Sequence, residues 1–239
     1  MVESVAFNPD GQSLAVGDFK GGIGLWNTTN AQQTASLSER VSHTIYSVAF
    51  SPNGRILAAG GVGGDVELWN AITGQQAYIL SEGSTADSIA FSPNGQTLAI
   101  GDSSGDVGLW TVASDQRTTT LSEGSTVDGV AFSPNGQSLV VGDEGGDVGL
   151  WDIASRTRTT TVVSEGNPVN YVAFSPDGQT LAVGDNSDDV ALLVRSSWSW
   201  SFPSLKHLLC GELRMNMTRS QWSALVPDQP YHKTCPVGS

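Results

Sequence analysis

The sequence predicts an all-β fold, a β-propeller of five four-stranded blades, followed by a short helical tail. The first supporting observation is a phenylalanine that recurs every 41 to 43 residues in near-identical contexts, at Phe7, Phe50, Phe91, Phe132 and Phe174. The second is a tryptophan that recurs with the same period, at Trp26, Trp69, Trp110 and Trp151, with Leu193 at the fifth position. The third is the content of 28 glycines, which suits a fold full of tight turns. Periods of this length that each hold four short strands are typical of propeller blades.

The third period shows how the four strands are predicted. Strand a, at residues 87–92, alternates apolar and small side chains and ends in the turn SPNG, where proline presets φ and glycine accepts a positive φ. Strand b, at residues 97–102 (TLAIGD), is an apolar run that suits a strand covered on both faces. Strand c follows at residues 107–111. Strand d, at residues 118–122, is polar and rich in β-branched residues, as expected of an outer strand.

Residues 1–202 are therefore predicted to form one propeller domain, and residues 203–239 a helical tail. The blades are expected at about residues 1–41, 42–84, 85–125, 126–167 and 168–202. One blade cannot bury both of its faces, so neighbouring blades must pack on one another. The four recurring tryptophans are the predicted structural residues of this packing. The segment SWSWSF, at residues 197–202, is predicted to supply the outer strand of the fifth blade.

The charge distribution restricts the class of partner. The formal net charge is −13, and residues 1–202 hold 22 of the 24 acidic residues but only 7 of the 11 basic ones. An acidic surface repels phosphates, which disfavours nucleic acids and anionic membrane surfaces as partners. No apolar run approaches the roughly 18 residues of a membrane span, and MVESVAF does not resemble a secretory signal. A cytoplasmic location is expected. MVESVAF reads as the middle of a strand, so a longer parent protein is also expected.

Over residues 1–195 the motifs VAFSPxG, xLAxGD and LW recur in register, and in this the sequence resembles the WD-repeat family. The resemblance implies a non-catalytic scaffold or sensor module that binds a protein or peptide on the propeller face. Propellers of that family usually have seven blades. Five blades are therefore expected to form an open arc or a strained ring.

The repeats depart from the family pattern at two places. The Gly-His step before strand a is missing, and only the second repeat has a histidine there, His43. The turn aspartate of the family is replaced, at Lys20, Gly63, Ser104, Gly145 and Ser187. The hydrogen-bonded tetrad of that family is thus absent. Packing and other turn carboxylates are predicted to support the blades instead, at Asp65, Asp106, Asp147 and Asp189.

The tail resembles the segment that follows WD repeats in some bacterial multi-domain proteins, which implies a bacterial module of something larger. Helices are predicted at residues 204–214 and 219–225. Cys210 and Cys235 are the two cysteines of the chain, and both lie in this tail. Their concentration in 37 residues favours a disulfide, whereas a reducing cytoplasm would keep both as free thiols.

The candidate binding residues come from one position of the repeat, four residues before the phenylalanine of strand a. These residues are Glu3, Tyr46, Asp87, Asp128 and Asn170. Equivalent positions of stacked blades form a ring at one end of the central channel. Three acids, one amide and one tyrosine in such a ring predict a contact surface for a basic segment of a partner. The alternative is a solvated rim without a ligand.

Other clusters of polar residues give weaker indications. The pairs Asp102/Asp106 and Asp143/Asp147, with Asp185, Asp188 and Asp189, offer too few oxygens for calcium, so turn aspartates that accept backbone N–H bonds are favoured. The histidines (His43, His207 and His232) are scattered, and GxSxG is absent. A Cys210–His207 pair is disfavoured as a nucleophile. GGVGG at residues 60–64 opens no helix, which excludes a dinucleotide loop. No metal, no cofactor and no enzymatic activity are expected.

Two alternatives to the scaffold function remain. A truncated propeller could complete itself by oligomerising, because an open arc would expose apolar residues such as Val5, Phe7, Leu14 and Val190. A propeller hydrolase would need His, Asp or Arg at non-repeated channel positions, and the near-identical repeats do not supply them. Fold alone does not decide between these functions.

Overall fold

A computed structural model describes residues 1–37, 43–164, 166–186, 190–196 and 199–201. These residues form an all-β, five-bladed propeller of twenty strands in five antiparallel sheets, and none of them is helical. Within these ranges there is no helical segment of the length and apolarity that a membrane crossing requires. The predicted helical tail, with Cys210 and Cys235, lies outside the described residues.

Each blade consists of four consecutive strands, a to d, and each strand pairs only with its neighbours in chain order. Blades one and two contain β1 (Val2–Phe7), β2 (Ser13–Asp18), β3 (Ile23–Asn27) and β4 (Gln33–Ser36), then β5 (Ile45–Phe50), β6 (Ile56–Gly61), β7 (Asp65–Asn70) and β8 (Gln76–Ser81). Blades three and four contain β9 (Ala86–Phe91), β10 (Thr97–Asp102), β11 (Asp106–Thr111) and β12 (Gln116–Ser122), then β13 (Val127–Phe132), β14 (Ser138–Asp143), β15 (Asp147–Asp152) and β16 (Thr157–Ser164). Blade five contains β17 (Val169–Phe174), β18 (Thr180–Asp185), β19 (Val190–Ser196) and β20 (Ser199–Ser201).

The strand pattern of the third repeat is close to the prediction. Strand b has the predicted bounds, whereas strands a and c each begin one residue earlier. Strand d begins two residues earlier, because the backbone ladder continues until Thr111 pairs with Gln116. In blade five, β20 pairs with β19 as the outer strand, inside the predicted 197–202 segment.

The core lies between the blades, around the b strands. Leu57, Leu98, Leu139 and Leu181, at the same position of four b strands, are completely buried. The predicted structural tryptophans divide into two groups. Trp69, Trp110 and Trp151 are each 8% exposed, whereas Trp26 is 37% exposed. Burial of apolar surface between sheets supplies most of the favourable free energy of such a fold.

The turns between strands b and c are closed by the aspartate that ends strand b, as predicted for Asp102 and Asp143. Asp102, the last residue of β10, accepts hydrogen bonds through Oδ1 from the backbone nitrogens of Ser104 (2.9 Å) and Asp106 (3.1 Å). Asp18 and Asp143 accept equivalent bonds in their blades. Of the predicted turn residues, Asp65 and Asp106 instead accept hydroxyl bonds from strand d, and Asp189 lies outside the described residues. The turn needs an acceptor at the strand end, because its N–H groups point back there.

The a strand of blade one is more exposed than that of blade two. Val48, on the a strand of blade two, is 6% exposed because the b strand of blade one covers it. Val5 has the equivalent position in blade one and is 57% exposed. Phe7 and Val190 are also exposed, as predicted, but Leu14 is partly buried because it lies inside its own sheet.

Candidate functional site

A β-bulge interrupts the first pairing of every blade at the second residue of strand a. In blade three, Ala86 pairs with Asp102 and Ser88 pairs with Gly101, which leaves Asp87 as the extra residue. The same shift occurs in the other four blades. The five bulged residues are those of the predicted ring, Glu3, Tyr46, Asp87, Asp128 and Asn170. A bulge bends the strand and redirects the side chain of its extra residue.

The bulged residues are brought together in one cavity. All five line a cavity of about 570 Å³ among the a strands, and the residues that follow them on each strand complete its wall. The wall is apolar in places, with Val130, Tyr171 and Val172. The predicted ring is therefore a geometric feature of the molecule, whereas partner binding by it is still a prediction.

The acidic side of the ring lies on blades three and four. Burial, together with the carboxylates of Asp128, Asp102 and Glu144, raises the pKa of Asp87 from its usual 3.8 to about 7. Burial also raises the pKa of Asp128, with contributions from Glu144 and Asp143. Among the described residues, Oδ2 of Asp87 is buried without a hydrogen-bond partner. Perturbed carboxyl groups of this kind concentrate at functional sites.

The other ring residues differ in how firmly they are held. Asn170 donates from Nδ2 to Oδ1 of Asn186 at 2.6 Å, so its amide has a fixed partner. The Tyr46 side chain is 40% exposed, and Glu3 is exposed. The cavity thus presents half-buried acids on one side and accessible polar and aromatic groups on the other. Such a surface can accept a cationic side chain together with its aliphatic stem.

The aspartates weighed as metal ligands serve the turns. Asp102 is almost completely buried, and its Oδ1 atom is occupied by the turn nitrogens and by the Ser104 hydroxyl. Across the described ranges, no three His, Cys, Asp or Glu side chains are grouped so that they could hold a metal ion. Asp188, Asp189, His207 and His232 lie outside those ranges.

A buried ionic contact between blades was not anticipated from the sequence. Glu82 follows the last strand of blade two, and its side chain inserts into blade three, where Nε1 of Trp110 donates to Oε1 and Nη1 of Arg117 lies 3.1 Å from Oε2. Glu123, Trp151 and Arg158 repeat the arrangement one blade later. Burial raises the pKa of Glu82, while the indole hydrogen bond and the guanidinium act in the opposite direction. We call this contact the blade clamp.

Three repeated features of the sequence signal the clamp. The motif SEG ends blades two and three, an arginine is the second residue of strand d in the next blade, and a glycine precedes the tryptophan by two residues. The glycine is required because a Cβ atom at Gly108 would collide with the Glu82 carboxylate. In blade two this position is Glu67, whose Oε2 accepts the indole hydrogen bond of Trp69 at 3.2 Å. In blade two, the carboxylate that accepts the indole hydrogen bond therefore comes from the same strand as the tryptophan.

The comparisons with known proteins agree with this architecture. The sequence matches the family model described as the IFT122 first beta-propeller over residues 1–206. A search of curated proteins gave no match. The model covers all five blades, including all five bulged ring residues. The chain therefore belongs to the IFT122 first beta-propeller family, a WD-repeat-type propeller family.

Proposed function

We propose that this propeller is a non-catalytic interaction module that binds a basic peptide segment of a partner protein in its acidic cavity. Propellers of this family type commonly mediate protein interactions and are generally not enzymes. The observation that carries the proposal is the convergence of the five bulged residues on one cavity, with two acids whose pKa values are raised. A cytoplasmic location is a further prediction from the sequence.

A cationic ligand would relieve an unfavourable arrangement of charges. Asp87 and Asp128 repel each other's ionised forms, so their carboxylates are poorly compensated in the free protein. A lysine or arginine placed between them would favour ionisation of both and satisfy the buried Oδ2 atom of Asp87. Binding would then release a proton near neutral pH, because the pKa of Asp87 is about 7. We expect affinity for a basic peptide to increase from about pH 6 to about pH 8.

Fluorescence anisotropy with labelled oligolysine and oligoarginine peptides tests this function. The double variant Asp87→Asn and Asp128→Asn should bind about tenfold more weakly or worse, which is the effect of about 1.4 kcal/mol. The double variant Asp10→Asn and Asp115→Asn is the matched control, because it also removes two charges, and Asp10 is exposed in the a–b turn of blade one. Asp115 is exposed in the c–d turn at the opposite end of blade three, and asparagine tolerates its positive φ of 48°.

The control variant should bind like the wild type. Equal loss of affinity in both variants would mean that the peptides respond only to net charge, and the proposal would be wrong. The proposal would also be wrong if no basic peptide bound at low ionic strength. A glutamate-rich peptide of equal length should not bind.

Self-completion by oligomerisation is a second candidate function. Val5, Phe7 and Val190 lie on blades one and five and are 57%, 67% and 53% exposed. Exposed apolar faces of this kind indicate association with another surface.

A further inference from the structure

The four junctions between neighbouring blades share one mode of packing. A glycine of each b strand receives the apolar side chains of the first and fourth residues of the next a strand. A Cβ atom at Gly17 would lie 2.6 Å from Cγ2 of Ile45, and one at Gly101 would lie 2.4 Å from Cγ1 of Val127. These glycines form the groove of a junction, and the apolar pair that enters it forms the ridge.

Blade one has an unpaired ridge and blade five has an unpaired groove, counting only the described residues as partners. Val2 and Val5 are the first and fourth residues of β1, and they are 59% and 57% exposed. Their equivalents in blade two, Ile45 and Val48, are 2% and 6% exposed. At the other end, Gly184 occupies the groove position, and a Cβ atom there would meet only the Tyr171 side chain of its own blade, at 3.7 Å.

We propose that blade five of one copy docks on blade one of a second copy, with Val2 and Val5 in the groove over Gly184. The inference rests on the second candidate function and names its interface. A second copy is the occupant because it carries the ridge that each internal groove of this chain already accepts. The contact is heterologous, since different surfaces meet, so it leads to a ring of copies or to an open chain of them.

One difference from the internal junctions makes the contact weaker. In the first three junctions a serine hydroxyl of one a strand accepts a hydrogen bond from the next a strand, as Oγ of Ser4 does from the nitrogen of Val48 at 3.1 Å. Tyr171 has this position in blade five and is 75% exposed. Its side chain lies beside Gly184, so a docking copy has to displace it from the groove. We therefore expect reversible association that depends on protein concentration.

Light scattering on the full chain, with two single variants, tests the interface and its direction. The wild type should exceed the monomer mass of 25.0 kDa as concentration rises. Val5→Glu places a charge on the ridge, and Gly184→Ala fills the groove, so each variant alone should remain monomeric. An equimolar mixture of the two variants should form a 1:1 dimer and nothing larger, because each variant retains the half that the other has lost.

The variants are expected to fold, because Val5 is exposed and the added Cβ at Gly184 makes only an ordinary contact. Their melting temperatures should equal that of the wild type. A wild type that stays monomeric at every concentration overturns both the interface and the self-completion function. Association that survives both variants overturns the interface alone. Sensitivity to Val5→Glu without sensitivity to Gly184→Ala would also overturn it, because blade one would then pair with blade one.

Discussion

Replacing Asp87 with asparagine should stabilise the propeller at alkaline pH. The folded-state pKa of about 7 lies above the usual value of 3.8 for the unfolded chain. Ionised Asp87 therefore disfavours the folded state, and stability falls as pH rises from the unfolded pKa to the folded one. The full difference corresponds to about 4 kcal/mol. Because part of Asp87 remains in water, screening reduces the expected gain for Asp87→Asn to about 1–2 kcal/mol.

Urea unfolding followed by tryptophan fluorescence measures this gain. The variant should exceed the wild type in free energy of unfolding by about 1–2 kcal/mol at pH 8. The gain should shrink steadily below pH 7 as Asp87 becomes protonated in the folded wild type. Asp115→Asn should show no such dependence on pH. If Asp87→Asn were neutral or destabilising at pH 8, the carboxylate would have a favourable partner, and the argument from burial would be wrong.

Four further substitutions test the packing, each by the free energy of unfolding in urea. Trp110→Ala should lower the free energy of unfolding by about 3–5 kcal/mol. Trp26→Ala should lower it by only about 1–2 kcal/mol, because Trp26 is 37% exposed. Equal losses of stability in the two variants would contradict the burial argument. Glu82→Ala should cost about 2–4 kcal/mol, because it leaves the Trp110 indole without its acceptor; a neutral result would mean that the blade clamp contributes nothing. Gly101→Ala should cost about 1–3 kcal/mol through collision with the next a strand, and a tolerated alanine there would show that the groove is not tightly packed.

The sequence repeat was enough to predict which residues lie together in the candidate site. The shared spacing from the strand-a phenylalanine was enough to group Glu3, Asp87 and Asp128 with Tyr46 and Asn170, because equivalent positions of equivalent blades lie at equivalent depths. The bulge that directs them into the cavity was not evident, since it arises from pairing between strands a and b. The raised pKa of Asp87 depends on burial by the tertiary structure and on carboxylates from another strand and from blade four. These carboxylates are separated from Asp87 along the chain, so a local sequence pattern does not show that they lie close to it.

The sequence by itself determined the number of blades, the four strands in each and the order of those strands. These features follow from a period of 41 to 43 residues and from local alternation and turn chemistry, which act over a few neighbouring residues. Only the tertiary structure showed which blade the glutamate of the recurring SEG motif contacts. Glu82 follows the last strand of blade two, but its charge is compensated by Arg117 of blade three. The tertiary structure also decided that Val5 of blade one is exposed whereas the equivalent Val48 of blade two is buried, because identical repeats specify how one blade meets the next but not whether the last blade returns to the first.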